Sequence, residues 1–572
     1  MSPAEQDRPA FEVRVAGTAL QPLVAADVVE LDVSEEVGRH GRLTLIVQNW
    51  DADSRSVRHS DDGPFVPGTA IAVSLGYHSQ LATVFDGVIA SLTTHFPRDG
   101  RPVLRVEGRS KSILLEHPPR SRQLADVSDA DVAAAVGADY SLSTDAADGI
   151  TKPFVVSDRI SDWELLKHRA GELGWVTYVR GDTLVLRPPA QKVQPIQVEH
   201  GRHLVELHLT QDLTHAISSA VGVAWDPAAL DAAESEQSAA SAGVDIGDRT
   251  AHDTAADDSG WPLRDERAES PAVVASDEAD ARAVATQRNA ALAHYFGSGV
   301  VQGNPALRCD GWVSIAGVGK RMSGPHYVTA VRHRLSADGY LTEFQVGSPP
   351  ALLPPSRTRD RGLALGVVEA LDDPQSLNRV KVRLSWRADA GDGVWARPAN
   401  LDAGDGYGAV LVPNVGQEVL VGFVDGDPAT PVVLGSLYNG TQQPPVVVDA
   451  DTNAVRALMT PDGHALHLED GDSAAAKLLS GKGHSLVLND KGSEVVITHA
   501  DSGNAIRLSA DGIELTAAQG DIKLSSSAGT ITLDSLKLQA KASGPSAIES
   551  SATFELKASG SLGLKGSLVT IN

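Results

Sequence analysis

Residues 505–534 read AIRLSADGIELTAAQGDIKLSSSAGTITLD, and their pattern decides the fold of the C-terminal part of the chain. Aliphatic residues occur in pairs two positions apart, as in Ile506-Arg-Leu508, Ile513-Glu-Leu515 and Ile522-Lys-Leu524, with small or polar residues between the pairs. Side chains two positions apart in a strand share one face, so each triplet predicts a short strand with one apolar side. Because such triplets continue to the last residue, the sequence predicts stacked strands, a β-helical needle, over residues 454–572.

The number of chains in this needle follows from how little each strand can bury. Each triplet offers only two aliphatic side chains, and the spacing between successive triplets is uneven. A solitary solenoid is possible, but these features favour a core that is completed by neighbouring copies. We therefore expect three chains interwound about one axis.

Composition excludes several classes of partner. The chain of 572 residues has 49 Lys+Arg against 74 Asp+Glu, a net charge of -25, and such a surface repels nucleic acid. Met1 to Ala10 contains Glu5 and Asp7 and no apolar run, and no stretch reaches the ~18 apolar residues of a membrane span. We expect cytoplasmic synthesis without a signal peptide and no membrane anchoring. The single cysteine, Cys309, excludes an internal disulfide and is predicted to be buried.

The part of the chain before the needle divides into further β units. Alternating residues predict strands at Ala70–Tyr77, Val84–Leu92 and Val103–Gly108, and Ser128 and Ser161 each begin a short helix. The helix that begins at Ser276 is predicted to end at Gly297. The predicted division is a first β-barrel over 1–120, a helix-containing connector over 121–190, a second β-barrel over 191–350, a stiff linker over 351–361 and an OB-fold barrel over 362–445.

Two segments of these units have distinctive compositions. Residues 226–275 are rich in Asp, Glu, Ala and Ser with few large apolar side chains, which predicts a flexible surface insertion in the second barrel. In the OB region, about five short strands are expected across Leu363–Leu384, Gly408–Val412, Glu418–Phe423 and Val432–Leu437.

Several motifs resemble one family. Val84-Phe-Asp-Gly-Val-Ile89 and the helix beginning Ser161-Asp-Trp-Glu resemble hub segments of the VgrG-type spikes and of the tailed-phage baseplate hub-spike. The strongest resemblance is Val412-Pro-Asn-Val-Gly-Gln-Glu-Val419, followed by Pro431-Val-Val-Leu-Gly-Ser-Leu-Tyr-Asn439, which is similar to the OB segment of those spikes. The order of parts extends the resemblance over nearly the whole chain. The expected fold is mainly β, with two hub β-barrels carrying short helices, an OB-fold barrel and a C-terminal trimeric intertwined β-helix.

The resemblance implies a structural role in a contractile injection apparatus. The implied protein is a non-enzymatic homotrimer without cofactor or metal, which caps the hexameric inner tube, contacts baseplate proteins and pierces the target envelope. Effector cargo and a separate PAAR-like tip protein are the implied partners, the latter bound at Val569, Thr570, Ile571 and Asn572. The particle would be a type VI secretion system, an extracellular injection particle or a phage tail. The alternatives are a trimeric tail-spike polysaccharide depolymerase and a receptor-binding fibre.

Three other motifs carry possible chemistry and are interpreted as structural. His200, His203, His208 and His215 alternate between strand faces, and His464 and His467 lie three apart in an extended context, so neither group predicts a metal site. Gly481-Lys482-Gly483 lacks the first glycine and the Ser/Thr of a phosphate-binding loop.

Overall fold

A computed structural model describes residues 8–61, 63–116, 118–226, 231–238, 260–269, 276–348, 362–385, 393–447 and 451–571. The chain separates into two compact units, residues 1–442 and 443–572. The predicted linker 351–361 lies outside the described residues. Among the described residues, none of the helices combines the length and apolar character that crossing a membrane requires.

The N-terminal region of the first unit is a set of antiparallel strands around an aliphatic core. Alternate residues of these strands point inward, so that Leu31, Leu43, Leu45 and Leu104 are fully buried. The elements are β1 (Pro9–Val15), β2 (Thr18–Ala19), α1 (Pro22–Ala26), β3 (Val28–Glu36), β4 (Arg42–Gln48), β5 (Ala70–Tyr77), β6 (Gln80–His95) and β7 (Val103–Ser110).

The connector contains both predicted capping boxes. The hydroxyl of Ser128 accepts from the backbone N–H of Asp131, and that of Ser161 accepts from Glu164, so each hydroxyl satisfies one free donor of a helix start. The elements are β8 (Arg120–Val127), α2 (Asp129–Asp139), β9 (Ser143–Ala146), β10 (Lys152–Ile160), α3 (Asp162–Leu173), β11 (Val176–Arg180) and β12 (Thr183–Arg187).

The next region returns to strands, most of which join the sheet of the N-terminal region. Its elements are β13 (Ile196–Glu199), β14 (Leu204–Gln211), β15 (Ile217–Asp226), β16 (Asp231–Ser238), β17 (Arg264–Glu269), α4 (Ser276–His294), β18 (Tyr295–Gln302), β19 (Gly311–Ala316), β20 (Gly324–Ser336) and β21 (Gly339–Val346). β20 pairs with β3, and this pairing joins the strands of both predicted hub barrels into one 13-stranded sheet. The two regions are therefore continuous through backbone hydrogen bonds.

A buried carboxylate reinforces this junction. Glu35 of β3 accepts hydrogen bonds of 3.0 Å from Nε and from a terminal nitrogen of Arg180, and of 2.7 and 3.1 Å from Arg308. Burial opposes ionisation of Glu35, but the two guanidinium groups outweigh it and lower its pKa to about 2. Three distant segments are thus held by one ion cluster. Cys309, beside Arg308, is buried as predicted.

The expectation of a flexible insertion over 226–275 is wrong where the structure describes it. Asp231–Ser238 and Arg264–Glu269 are strands that flank β15, and α4 packs on this sheet. The strand before this segment and the helix after it pack together through small residues: Ala220 and Ala224 of β15 are buried with Ala279 and Ala283 of α4. A Cβ at Gly222 would lie 1.9 Å from the Ala279 carbonyl oxygen, so small residues allow a close helix–sheet contact. Residues 239–259 and 270–275 lie outside the described part.

The α3 C-terminus offers a matched test of helix packing. Gly174 has φ +62°, and a Cβ there would lie 2.7 Å from Cα of Ala285 in α4, whereas a Cβ at Gly171 would meet nothing within 4 Å. Gly174→Ala should lower the free energy of unfolding by roughly 2 kcal/mol, since left-handed backbone and contact with α4 both disfavour it. Gly171→Ala should raise it by up to about 1 kcal/mol. Chemical denaturation monitored by circular dichroism measures both, and equal effects would contradict this packing.

The OB barrel is present as predicted, with one strand displaced. Five strands close into a barrel in the order β22-β23-β24-β28-β27, around Val368, Val382, Val394 and Val419. The elements are β22 (Ala364–Ala370), β23 (Val380–Leu384), β24 (Val394–Pro398), β25 (Ala403–Gly404), β26 (Tyr407–Gly408), β27 (Glu418–Phe423) and β28 (Pro431–Ser436). The expected strand at Gly408–Val412 is wrong, because the third barrel strand is Val394–Pro398.

The C-terminal unit begins with an antiparallel meander in which each strand pairs with the next. Its strands are β29 (Val455–Met459), β30 (Ala465–Glu469), β31 (Ala475–Leu479), β32 (Ser485–Asn489), β33 (Glu494–Thr498), β34 (Ala505–Ser509) and β35 (Gly512–Thr516). Residues 517–571 are described and form no strand within the chain. The triplets from Ile522 onward therefore have no strand partner in a single copy.

Candidate functional site

One face of the seven-stranded sheet is aliphatic from β29 to β35. Cross-strand register places one aliphatic residue of each strand directly opposite the next, in the row Leu458, Leu466, Leu478, Leu486, Ile497, Ile506 and Leu515. A second row on the same face begins with Arg456 and continues through Leu468, Ala476, Leu488, Val495, Leu508 and Ile513. We call these two rows the apolar face.

The apolar face is not covered by its own chain. Leu458 and Leu478 are 59% and 57% exposed, and Ile513 at the far edge is 75% exposed. Soluble monomers rarely expose contiguous apolar patches beyond a few hundred Å², and larger ones mark interaction sites. The apolar face is thus the clearest candidate functional surface in the C-terminal unit.

The opposite face of the same sheet suits contact with water. Lys477 donates to Glu469 at 2.7 Å, and Arg507 donates to Glu494 at 2.6 Å, each pair bridging neighbouring strands. Because side chains alternate along a strand, these charged pairs lie on the side away from Leu478 and Ile506. The sheet therefore carries charged pairs on one face and uncovered aliphatic side chains on the other.

The aliphatic pattern continues beyond the sheet. Through residues 517–571 the aliphatic and aromatic members of the triplets are exposed, namely Ile522, Leu524, Ile531, Leu533, Phe554, Leu556, Leu562, Leu564, Val569 and Ile571. Thr570 is also exposed, and Asn572 lies outside the described residues. Tip-protein binding at Val569, Thr570, Ile571 and Asn572 stays a prediction.

The structure does not bring together the histidines first considered as metal ligands. Within the described ranges, three potential ligands approach one another at His484, His499 and Asp501, whose candidate atoms lie within 4.8 Å. The two imidazole rings stack with centroids 4.2 Å apart and planes at 27°, so their in-plane lone pairs do not converge on one ion. Nδ1 of His484 also accepts the backbone N–H of Ala500 at 3.1 Å. We therefore interpret this cluster as a structural contact between two neighbouring turns.

A serine–histidine–glutamate contact in the first unit was not visible in the sequence, because His40 and Ser112 are 72 residues apart. His40 Nδ1 lies 2.8 Å from Ser112 Oγ, and its Nε2 lies 3.6 Å from Glu116. Burial lowers the pKa of His40 despite the nearby Glu116 carboxylate. Ser112 has no exposed surface, so a substrate cannot reach its hydroxyl. The geometry supports a structural hydrogen-bond network and gives no support for catalysis.

Family comparison matches most of the first unit and the OB barrel separately. Residues 5–337 match the Alg8 N-terminal domain, and residues 364–438 match the type VI secretion system/phage-baseplate injector OB domain. The second match coincides with the closed five-stranded barrel.

Relatives of known class are similar to shorter parts of the chain. The type VI secretion system spike protein VgrG4b of Pseudomonas aeruginosa is 40% identical over 101 residues, 16% of this chain and 12% of that protein. VgrG3 of Vibrio cholerae is 34% identical over 93 residues, 15% of this chain and 9% of that protein. The alignments thus span about a tenth of the length of these curated relatives.

A solved structure shares the fold over a longer range. In the Francisella PdpA–VgrG complex, the matched chain aligns with a TM-score of 0.52 and 7% identity, covering 90% of this chain and 80% of its own length. Because residues 5–337 make up more than half of its length, the chain belongs to the Alg8 N-terminal domain family, and its OB barrel and curated relatives make it similar to the VgrG-type spike proteins.

Proposed function

We propose that this protein is the homotrimeric central spike of a contractile injection apparatus. In this role it caps the hexameric inner tube, anchors baseplate proteins and is driven through a target envelope without catalysing a reaction. The observation that carries the proposal is the apolar face, which spans seven strands and has no partner in a single copy.

Burial of the apolar face supplies the driving force for assembly. Complete burial of one Leu or Ile side chain stabilises by roughly 1.5–3 kcal/mol, and the two rows contain a dozen large aliphatic residues per chain. Part of this is offset by the entropy lost on association. The remaining stabilisation is ample for a permanent complex.

The dimensions of the strands favour three copies. Each strand of the sheet has five residues and is therefore about 17 Å long. Three such sheets arranged as a triangular prism place each sheet about 5 Å from the axis, half the ~10 Å spacing of packed sheets. Four sheets in a square would lie about 8 Å from the axis and leave a void. Side chains from three apolar faces fill the prism.

The segment after the sheet supports interwinding of the copies. Residues 517–571 keep the aliphatic pairs of the preceding strands but form no strand pairs within the chain. Strand pairing between copies would satisfy their backbone groups and bury the pairs on one axis. In the resulting needle we place the tip-protein site at residues 569–572, and effector cargo and tube contacts on the assembled trimer.

Imaging of particles from the source cell tests the proposed role. Deleting the chain should abolish assembled contractile particles in electron micrographs, and re-expression should restore them. A variant lacking residues 455–571 keeps the barrels and should not restore particles that carry a spike. Normal particles in the deletion strain, or a spike density without threefold symmetry, would overturn the proposal.

A further inference from the structure

We infer that one edge of the needle sheet is proton-sensitive, because neutral histidine rings there hold successive turns together. This edge, the histidine edge, contains His464, His484 and His499, in the turns that join β29 to β30, β31 to β32 and β33 to β34. The inference goes beyond the proposed spike function and does not depend on it.

The first two turns have the same internal hydrogen bonds, 20 residues apart. The backbone N–H of His464 donates to the Thr460 hydroxyl at 3.1 Å, and that of His484 donates to the Ser480 hydroxyl at 3.1 Å. Gly463 and Gly483 have φ +83° and +86°, a left-handed backbone that glycine adopts without steric cost. The two turns are therefore copies of one unit.

Each turn is also held to the next by a side-chain acceptor. Nδ1 of His464 accepts the backbone N–H of Gly481 at 3.2 Å, and Nδ1 of His484 accepts that of Ala500 at 3.1 Å. The next equivalent position is Asn504, whose Oδ1 accepts the backbone N–H of Gln519 at 3.1 Å. Of these three bonds between successive turns, two thus have a histidine nitrogen as acceptor, which can be protonated. The third has an amide oxygen as acceptor, which takes up no proton.

The chemistry of imidazole makes the first two bonds depend on pH. A neutral ring has one acceptor nitrogen, while a protonated ring has a donor on both nitrogens. Protonation would place a ring N–H of His464 or His484 opposite the backbone N–H of the next turn. Both groups are donors, so no hydrogen bond can form between them. Both bonds therefore require the unprotonated ring and are lost when the ring takes up a proton.

Acidic and basic residues both occur around the histidine edge. Asp501 lies close to His484 and His499, and the rings of these two histidines stack on each other. The other charged residues of the stacked turns are Asp462 and Lys482. Whatever the surrounding charges, protonation of His484 at Nδ1 removes the acceptor of the Ala500 amide and loosens the edge.

Hydrogen exchange of three amides in the full-length chain tests the inference. Protection of the Gly481 and Ala500 amides, corrected for intrinsic exchange rates, should fall as pH is lowered from 7.5 to 5. The Gln519 amide, held by Asn504, is the internal control and should not show this fall. Equal pH dependence of all three amides would overturn the inference.

A variant gives a second readout. His464→Asn combined with His484→Asn copies the natural Asn504 arrangement and should make protection of Gly481 and Ala500 independent of pH between 7.5 and 5. If these amides lose protection at low pH in the variant as they do in the wild type, imidazole protonation is not the cause. If the variant fails to fold, the wild-type comparison with Gln519 still decides.

Discussion

Replacing both Ile506 and Leu515 by glutamate should convert the assembled protein into folded monomers. These side chains lie directly opposite each other on the apolar face and are 39% and 51% exposed in one chain. In a trimer the substitution would place six carboxylates in the prism core, and each unpaired buried charge costs several kcal/mol. Sedimentation velocity at micromolar concentration measures the loss of the assembled species.

The matched control uses the same two strands. Ala505 and Thr516 also lie directly opposite each other, one residue along, and therefore on the side of the sheet that carries the charged pairs. Ala505→Glu with Thr516→Glu introduces the same pair of like charges into the same two strands. This control should remain assembled. If both variants dissociate, or neither does, the apolar face is not the assembly surface.

Glu35→Gln should be the most destabilising single polar substitution in the hub. It leaves Arg180 and Arg308 without their shared anion, at the junction of β3, β11 and the loop before β19. Breaking a buried ion cluster costs about 3–5 kcal/mol, and water reaches Arg180, so we expect about 2–4 kcal/mol. The control Glu30→Gln removes an exposed 3.0 Å pair with Arg334 and should cost at most about 1 kcal/mol.

The pH dependence separates the charge of Glu35 from its size. Its pKa in the folded protein is about 2, below the ~4.3 of an unfolded chain, so its contribution is complete above about pH 4.3 and is lost as pH falls toward 2. The difference in thermal stability between wild type and Glu35→Gln should therefore shrink from pH 5 to pH 2. A difference that stays constant over this range would show that the carboxylate charge is not responsible.

Local patterns in the sequence predicted the elements whose causes are local. The capping residues Ser128 and Ser161 place both connector helices, since a cap needs only residues three positions apart. The alternation of Ala70–Tyr77 places its strand, and the OB motif places the closed barrel. The helix from Ser276 was predicted to end at Gly297, yet it ends at His294 because Tyr295–Gln302 pairs with β14 and β21.

Features that depend on distant partners were not predictable. The acidic insertion has few large side chains and was predicted to be flexible, but its strands Asp231–Ser238 and Arg264–Glu269 both pair with β15. The strand Val394–Pro398 was missed, since only Val394 and Ala396 alternate before Pro398. The ion cluster at Glu35 joins residues up to 273 positions apart, which no local pattern reports.

The sequence predicted that an apolar surface exists, but not which residues of neighbouring strands lie opposite one another. The triplets predicted strands with one apolar side, and the pairing of Leu458 through Leu515 confirms that these sides share one face. The antiparallel meander and the histidine edge required knowledge of how the turns stack. The sequence also predicted that neighbouring copies complete the core, which remains the central claim.

Multi-angle light scattering of the full-length protein tests that claim most directly. The account predicts a single species of three times 59.8 kDa that persists on dilution. A folded, stable species of 59.8 kDa at micromolar concentration would contradict it.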